Sequence, residues 1–109
     1  MALPLNVYQT YTGIVSTTSE TVYTAPVGYT GVVLLGQVAN IGNTTEQVLF
    51  SYVNPTLTNE ILPNSPVASD DVIKLFTGKL LVLSGDSLEL SGTSGTNLKY
   101  TLSILETLN

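Results

Sequence analysis

The chain reads as all-β: an antiparallel β-sandwich of jelly-roll type with an extended N-terminal arm. Three observations predict this. Thr, Ser, Val and Leu dominate the composition, and such residues suit pleated, half-buried strands. Short runs of alternating polarity are broken every ~8–12 residues by Gly, Pro, Asn and Ser clusters. No segment of ten or more residues sustains a 3.6-residue apolar period built from helix formers. With 109 residues the chain makes one domain, able to bury roughly 65% of the surface its unfolded form exposes. The expected division is an arm over residues 1–7 and a single β-domain over residues 8–109.

The elements follow in order. Residues 1–7 carry Pro4 and no clear period, hence the extended arm. Tyr8 to Val15 alternates loosely as a first strand, with Gly13 marking a weak point or a bulge. Thr21 to Thr24 is a short strand stopped by Ala25-Pro26-Val27-Gly28. Tyr29 to Asn40 is the longest strand, and Val32-Val33-Leu34-Leu35 is apolar on both faces, as in a central strand covered on both sides. Gly36 within it suggests a bulge or a close backbone approach. Asn40 to Thr45 is a turn-rich loop, and Glu46 to Val53 then alternates, with Val48, Phe50 and Tyr52 on one face. Together they read as a hairpin. Leu57 to Leu62 is a weaker strand, and Pro63-Asn64-Ser65-Pro66 reads as a break. Asp71 to Phe76, Lys79 to Leu83 and Ser87 to Ser91 are short strands. Leu98 to Leu105 is the clearest, with Leu98, Tyr100, Leu102 and Ile104 inward and Lys99, Thr101 and Ser103 outward.

Composition excludes several functions. There is no His, Cys, Trp or Arg, and there are three lysines, Lys74, Lys79 and Lys99. Disulfides and cysteine metal sites are ruled out together. Without His or Cys, nucleophilic catalysis would need a Ser–Lys or carboxylate arrangement, and the one adjacent acidic pair, Asp70-Asp71, would point to opposite faces of a strand. The expectation is no enzyme, no catalytic residue, no metal and no cofactor. Asp70, Asp71 and Asp86 match no calcium-loop spacing and read as turn residues. The net charge of −5 argues against nucleic acid and anionic membranes as partners. No export signal is evident at Met1 to Leu5, so Asn43-Thr44-Thr45 reads as a loop rather than a glycosylation site.

Only 10% of residues are charged, against about 25% in a typical domain. Interface cores are depleted in charge, so protein–protein contact is one reading of this surface; a neutral polar coat on a monomer is the other. The candidate interface residues are Leu3, Leu5, Val7, Tyr8 and Tyr11. They would add a strand to a neighbouring subunit or simply form the first strand of their own sheet.

Four stretches carry a resemblance. They are Thr21 to Thr30 (TVYTAPVGYT), Val38 to Ile41 (VANI), Leu75 to Leu88 (LFTGKLLVLSGDSL) and Leu98 to Thr107 (LKYTLSILET). In this order and spacing they resemble a family of small structural proteins of tailed phages, notably those infecting cyanobacteria. The stretch from Leu57 to Asp70 matches poorly. The resemblance implies a virion component, assembled in the host cytoplasm, that decorates and cements the capsid. Its implied partners are the major capsid protein or tail proteins, and copies of itself. It supplies no catalytic residues. A tail- or fibre-associated subunit is the alternative location. A carbohydrate-binding or adhesin module is the alternative function, with Tyr beside Asn and Asp in the Asn40–Thr45 and Gly92–Asn97 loops.

Overall fold

The computed structural model describes residues 6–109, and these residues form strands and turns without a helix. The strands are β1 (Asn6–Ile14), β2 (Glu20–Thr24), β3 (Tyr29–Asn40), β4 (Glu46–Val53), β5 (Thr58–Val67), β6 (Val72–Lys74), β7 (Leu80–Val82), β8 (Ser87–Gly92) and β9 (Leu98–Leu108). They make two antiparallel sheets. The first has the order β1-β9-β3-β6, with β7 also paired to β3; the second has the order β2-β8-β4-β5.

The sheets pack against each other through their apolar faces. Leu88, Leu90, Val48 and Phe50 from the second sheet meet Leu98, Leu102, Ile104, Val33 and Val38 from the first. These are the inward members of alternating strands, so the period-2 pattern places the core directly. Each fully buried Leu, Ile or Phe contributes about 1.5–3 kcal/mol relative to an exposed one. The Phe50 ring stacks near Phe76, centroids 6.3 Å apart, and ties the second sheet to the segment after β6.

Four expectations change. The loop from Asn40 to Thr45 does not close a hairpin, because β3 and β4 lie in different sheets. Asn40 explains the crossing. It is buried, its amide donates to the carbonyls of Thr44 (2.8 Å) and Val67 (2.9 Å), and its side-chain oxygen accepts from the Gly42 N–H (2.9 Å). These bonds hold a tight passage from one sheet to the other.

The Pro63–Pro66 segment does not end its strand, since β5 runs through it. The strand lies at a sheet edge, where a missing N–H is tolerated, and the register shifts there, from Val48↔Ser65 to Phe50↔Leu62. Gly13 marks no bulge, because β1 pairs with β9 in unbroken register. Instead a Cβ at Gly13 would meet the Tyr100 ring at 3.0 Å. Finally, Val32 to Leu35 does lie in a central strand, but its outward side is open: Leu34 is 42% exposed.

Of the expected arm, residues 1–5 lie outside the described residues. Asn6 and Val7 pair with Thr107 and Glu106 as the first residues of β1.

Candidate interaction surface

Strand alternation sends the even residues of β1 and the odd residues of β9 to the outward side of the first sheet. The register then fixes their neighbours across the sheet. One row reads Tyr8, Leu105, Val32 and Leu81, from β1 through β9 and β3 to β7. All four are apolar or aromatic. The next rows are Thr10, Ser103 and Leu35; then Thr12, Thr101, Gln37 and Lys74; then Ile14, Lys99, Ala39 and Val72. A bulge between Val33 and Leu35 adds Leu34 to the exposed surface.

Tyr8 is 76% exposed and Leu81 55%. Ile14, Leu34 and Val72 on the same sheet, and Leu83 just beyond β7, are exposed as well. The strands of the second sheet carry no exposed large hydrophobic residue. Its outward rows include Thr21, Glu89, the buried Ser51 and Glu60; Thr24, Ser87, Val53 and Thr58; and the half-buried Leu49 beside Ser91. The two outer faces therefore differ in kind. The first carries an apolar row at one end, with hydroxyls, Gln37, Lys74 and Lys99 beyond it, and the second carries hydroxyls with the carboxylates of Glu60 and Glu89. Scattered surface Leu needs no explanation, but a contiguous apolar row on one face does.

The other side of the same strands holds a buried polar clamp. Glu106 faces inward between Val7 and Gly31 and is 7% exposed. The Tyr23 hydroxyl crosses from the second sheet and donates to Glu106 Oε2 at 2.8 Å. Gly31 makes room for it, since a Cβ there would lie 2.6 Å from the Tyr23 hydroxyl oxygen. Burial first, and then the bond to Glu106 and its charge, push the Tyr23 hydroxyl far above its ordinary pKa. Tyr11 stands beside it, ring centroids 5.5 Å apart, and burial and the Glu106 charge raise its pKa too. A charged acceptor meeting a donor from the opposite sheet ties the two sheets together at this point, beside the apolar core.

The candidate residues divide accordingly. Leu3 and Leu5 lie outside the described residues. Tyr8 and Tyr11, paired in the sequence reading, sit on opposite faces of β1: Tyr8 points out, while Val7 and Tyr11 are on the inward, half-buried side. The structure brings Tyr8 together with Leu105, Val32 and Leu81, which sequence reasoning missed. The signal was present in Val32 to Leu35, whose two apolar faces imply cover on both sides. Within the described residues only one side has it.

Among the described residues, no three of His, Cys, Asp and Glu converge to hold a metal ion. An open groove runs between β5 and the β6–β7 connection, lined by Ile61, Leu62, Phe76 and Leu80 together with Lys74 and Lys79.

No family model matches the sequence, and no curated protein sequence does. Solved structures do share the fold. The chain is similar to one in the acid-stable capsid structure of Helicobacter pylori bacteriophage KHP30, with a TM-score of 0.59 and 13% identity over 96% of this chain and 89% of that one. It is also similar to a chain of the Bacillus endospore appendages, described as a novel family of disulfide-linked pili (TM-score 0.53, 15% identity, 95% of this chain and 88% of the other). The likeness is one of fold. A pentameric capsid protein isolated from metagenomic phage sequences overlaps at a TM-score of 0.46 with 17% identity, over 90% of this chain and 60% of that one, too distant to carry an argument.

Proposed function

We propose that the chain is a structural protein of a phage particle, a capsid decoration protein that acts by contact with other protein. The observation that carries this is the outward face of the first sheet: an apolar row across β1, β9, β3 and β7, uncovered within the described residues. Such a face suits a subunit that is buried on assembly. The fold shared with a chain of a phage capsid structure supports the particle role. So does the resemblance of the stretches at 21–30, 75–88 and 98–107 to tailed-phage structural proteins.

The proposed fold is a jelly-roll sandwich. The support is the strand order, in which β1-β9-β3-β6 faces β2-β8-β4-β5 and the chain changes sheet at most connections. The proposed partner is the major capsid protein, met by the apolar face. A contact of ~1,600 Å² in total is ordinary for a specific complex, and many copies on one lattice would gain by avidity. The glycan-binding alternative draws less support. Asn40 in its loop is already committed to Thr44, Val67 and Gly42, and the exposed Tyr8 lies on the sheet face.

Gold-labelled antibody on purified virions, viewed by electron microscopy, tests the reading. Label over the head is the expected result. Label confined to the tail would move the protein to a tail or fibre position, and no label on intact or disrupted particles would overturn the virion role.

A further inference from the structure

A sheet edge exposes a row of unpaired N–H and C=O groups, and proteins blunt such edges with charge, proline, bulges or short strands. Three edges of this fold are blunted. At one side of the second sheet, β2 is five residues long, begins with Glu20 and carries a register shift. At the other, β5 carries Glu60, Pro63, Pro66 and two shifts. The far edge of the first sheet is split into β6 and β7, three residues each, with Lys74 at the end of β6. The fourth edge, β1, has none of these devices. It is nine residues long, NVYQTYTGI, without charge or proline and in unbroken register with β9. Among the described residues, β9 is its only strand partner.

We propose that β1 pairs with β1 of a second copy, antiparallel across a two-fold axis, so that two first sheets become one continuous sheet. Charge selects this partner. The chain carries a net −5, so copies repel one another over most approaches, but no charged side chain precedes Glu20. Approach along β1 brings no like charges together in the strand pair. The split β6–β7 edge is too short to serve as the complement.

Geometry fixes the register. A two-fold axis normal to the sheet keeps outward residues outward, so the axis must pass through a residue and not between two. Full overlap of a nine-residue strand puts the axis at Thr10. The pairs are then Thr10 with its own copy, Tyr8 with Thr12, Gln9 with Tyr11, Val7 with Gly13 and Asn6 with Ile14. The apolar row that starts at Tyr8 would run on both sides of the axis and double the outward surface. The inference concerns the purified protein in solution and stands apart from the particle role.

Sedimentation velocity and cysteine cross-linking test it. The unmodified protein should sediment as a dimer. Thr10→Lys sets two cations opposite each other on an exposed position and should weaken the dimer about tenfold or more. Leu81→Lys lies on the same face but at the opposite edge and should leave the dimer intact. The chain has no cysteine, so Thr10→Cys under mild oxidation should cross-link to a covalent dimer, because opposed Cα atoms at about 4.5–5.5 Å suit a disulfide. Thr12→Cys, opposite Tyr8, should not cross-link. A monomer in solution would overturn the inference. So would association lost in Leu81→Lys but kept in Thr10→Lys, or Thr12→Cys cross-linking better than Thr10→Cys.

Discussion

Replacing Tyr23 by Phe removes one oxygen and leaves the ring, which makes it a clean probe of the clamp beneath the apolar face. The hydroxyl is the donor to Glu106 at 2.8 Å, and Glu106 is buried. Two effects add. A hydrogen bond to a charged group contributes about 1.5–3 kcal/mol, and the carboxylate oxygen left behind loses its partner without gaining water. The expected loss is about 2–4 kcal/mol. For a domain of this size 1 kcal/mol moves Tm by roughly 4–8 °C, so thermal unfolding by circular dichroism should shift downward by at least about 8 °C. Glu106→Gln, which keeps an acceptor for the hydroxyl, should cost less.

The pH dependence gives an independent sign. The folded pKa of Tyr23 lies above the unfolded value near 10. Below pH 10 both states hold the proton and stability is flat with respect to this group. Above pH 10 the unfolded chain releases it first, so stability falls as pH rises, by up to about 1.4 kcal/mol per pH unit per tyrosine. Tyr11, Tyr52 and Tyr100 are shifted in the same direction, mainly by burial. Urea unfolding from pH 9 to 11 should show a falling midpoint whose slope is smaller in Tyr23→Phe. A variant with an unchanged Tm and an unchanged alkaline slope would refute the clamp.

Other substitutions separate core from surface. Gly31→Ala drives a methyl group into the Tyr23 hydroxyl, at 2.6 Å, and should cost about 1–3 kcal/mol in chemical denaturation, relieved when combined with Tyr23→Phe. Tyr52→Phe loses the bond that Tyr52 donates to Asp86 (2.6 Å) and the one it accepts from the Leu83 N–H (3.1 Å). It should cost about 1–3 kcal/mol and loosen the β7–β8 turn, read as faster amide exchange at Leu83. Phe50→Ala empties the centre of the core and should cost about 3–5 kcal/mol.

Much of the fold was legible because alternation is a local property. β9, β8 and β4 show their inward sets without reference to any other strand, and Leu98, Leu102 and Ile104 are buried as their pattern implies. What was not legible depends on which strands meet. The Asn40–Thr45 loop has the composition of a hairpin turn, yet the buried Asn40 amide turns it into a crossing between sheets. The prolines of β5 read as a break because a break and an edge strand look alike until the neighbours are known. The interaction surface was half visible. Tyr8 was one of the five candidate interface residues, but Leu105, Val32 and Leu81 join it only through the pairing of β1, β9, β3 and β7. Glu106, the one carboxylate on the inward side of β9, carries no sequence mark of its partner 83 positions away.

The proposed function requires the outward face of the first sheet to be buried on assembly. The most direct test is to produce virions in hosts supplying Leu81→Asp or Thr58→Asp protein, after showing that each variant keeps the thermal stability of the unmodified chain. Leu81 lies in the apolar row, whereas Thr58 is exposed on the outer face of the second sheet. The copy number of the protein on purified particles is then measured. Burial of this face on assembly should leave particles depleted of Leu81→Asp and fully loaded with Thr58→Asp. Equal retention of both variants, or loss of Thr58→Asp alone, would contradict it.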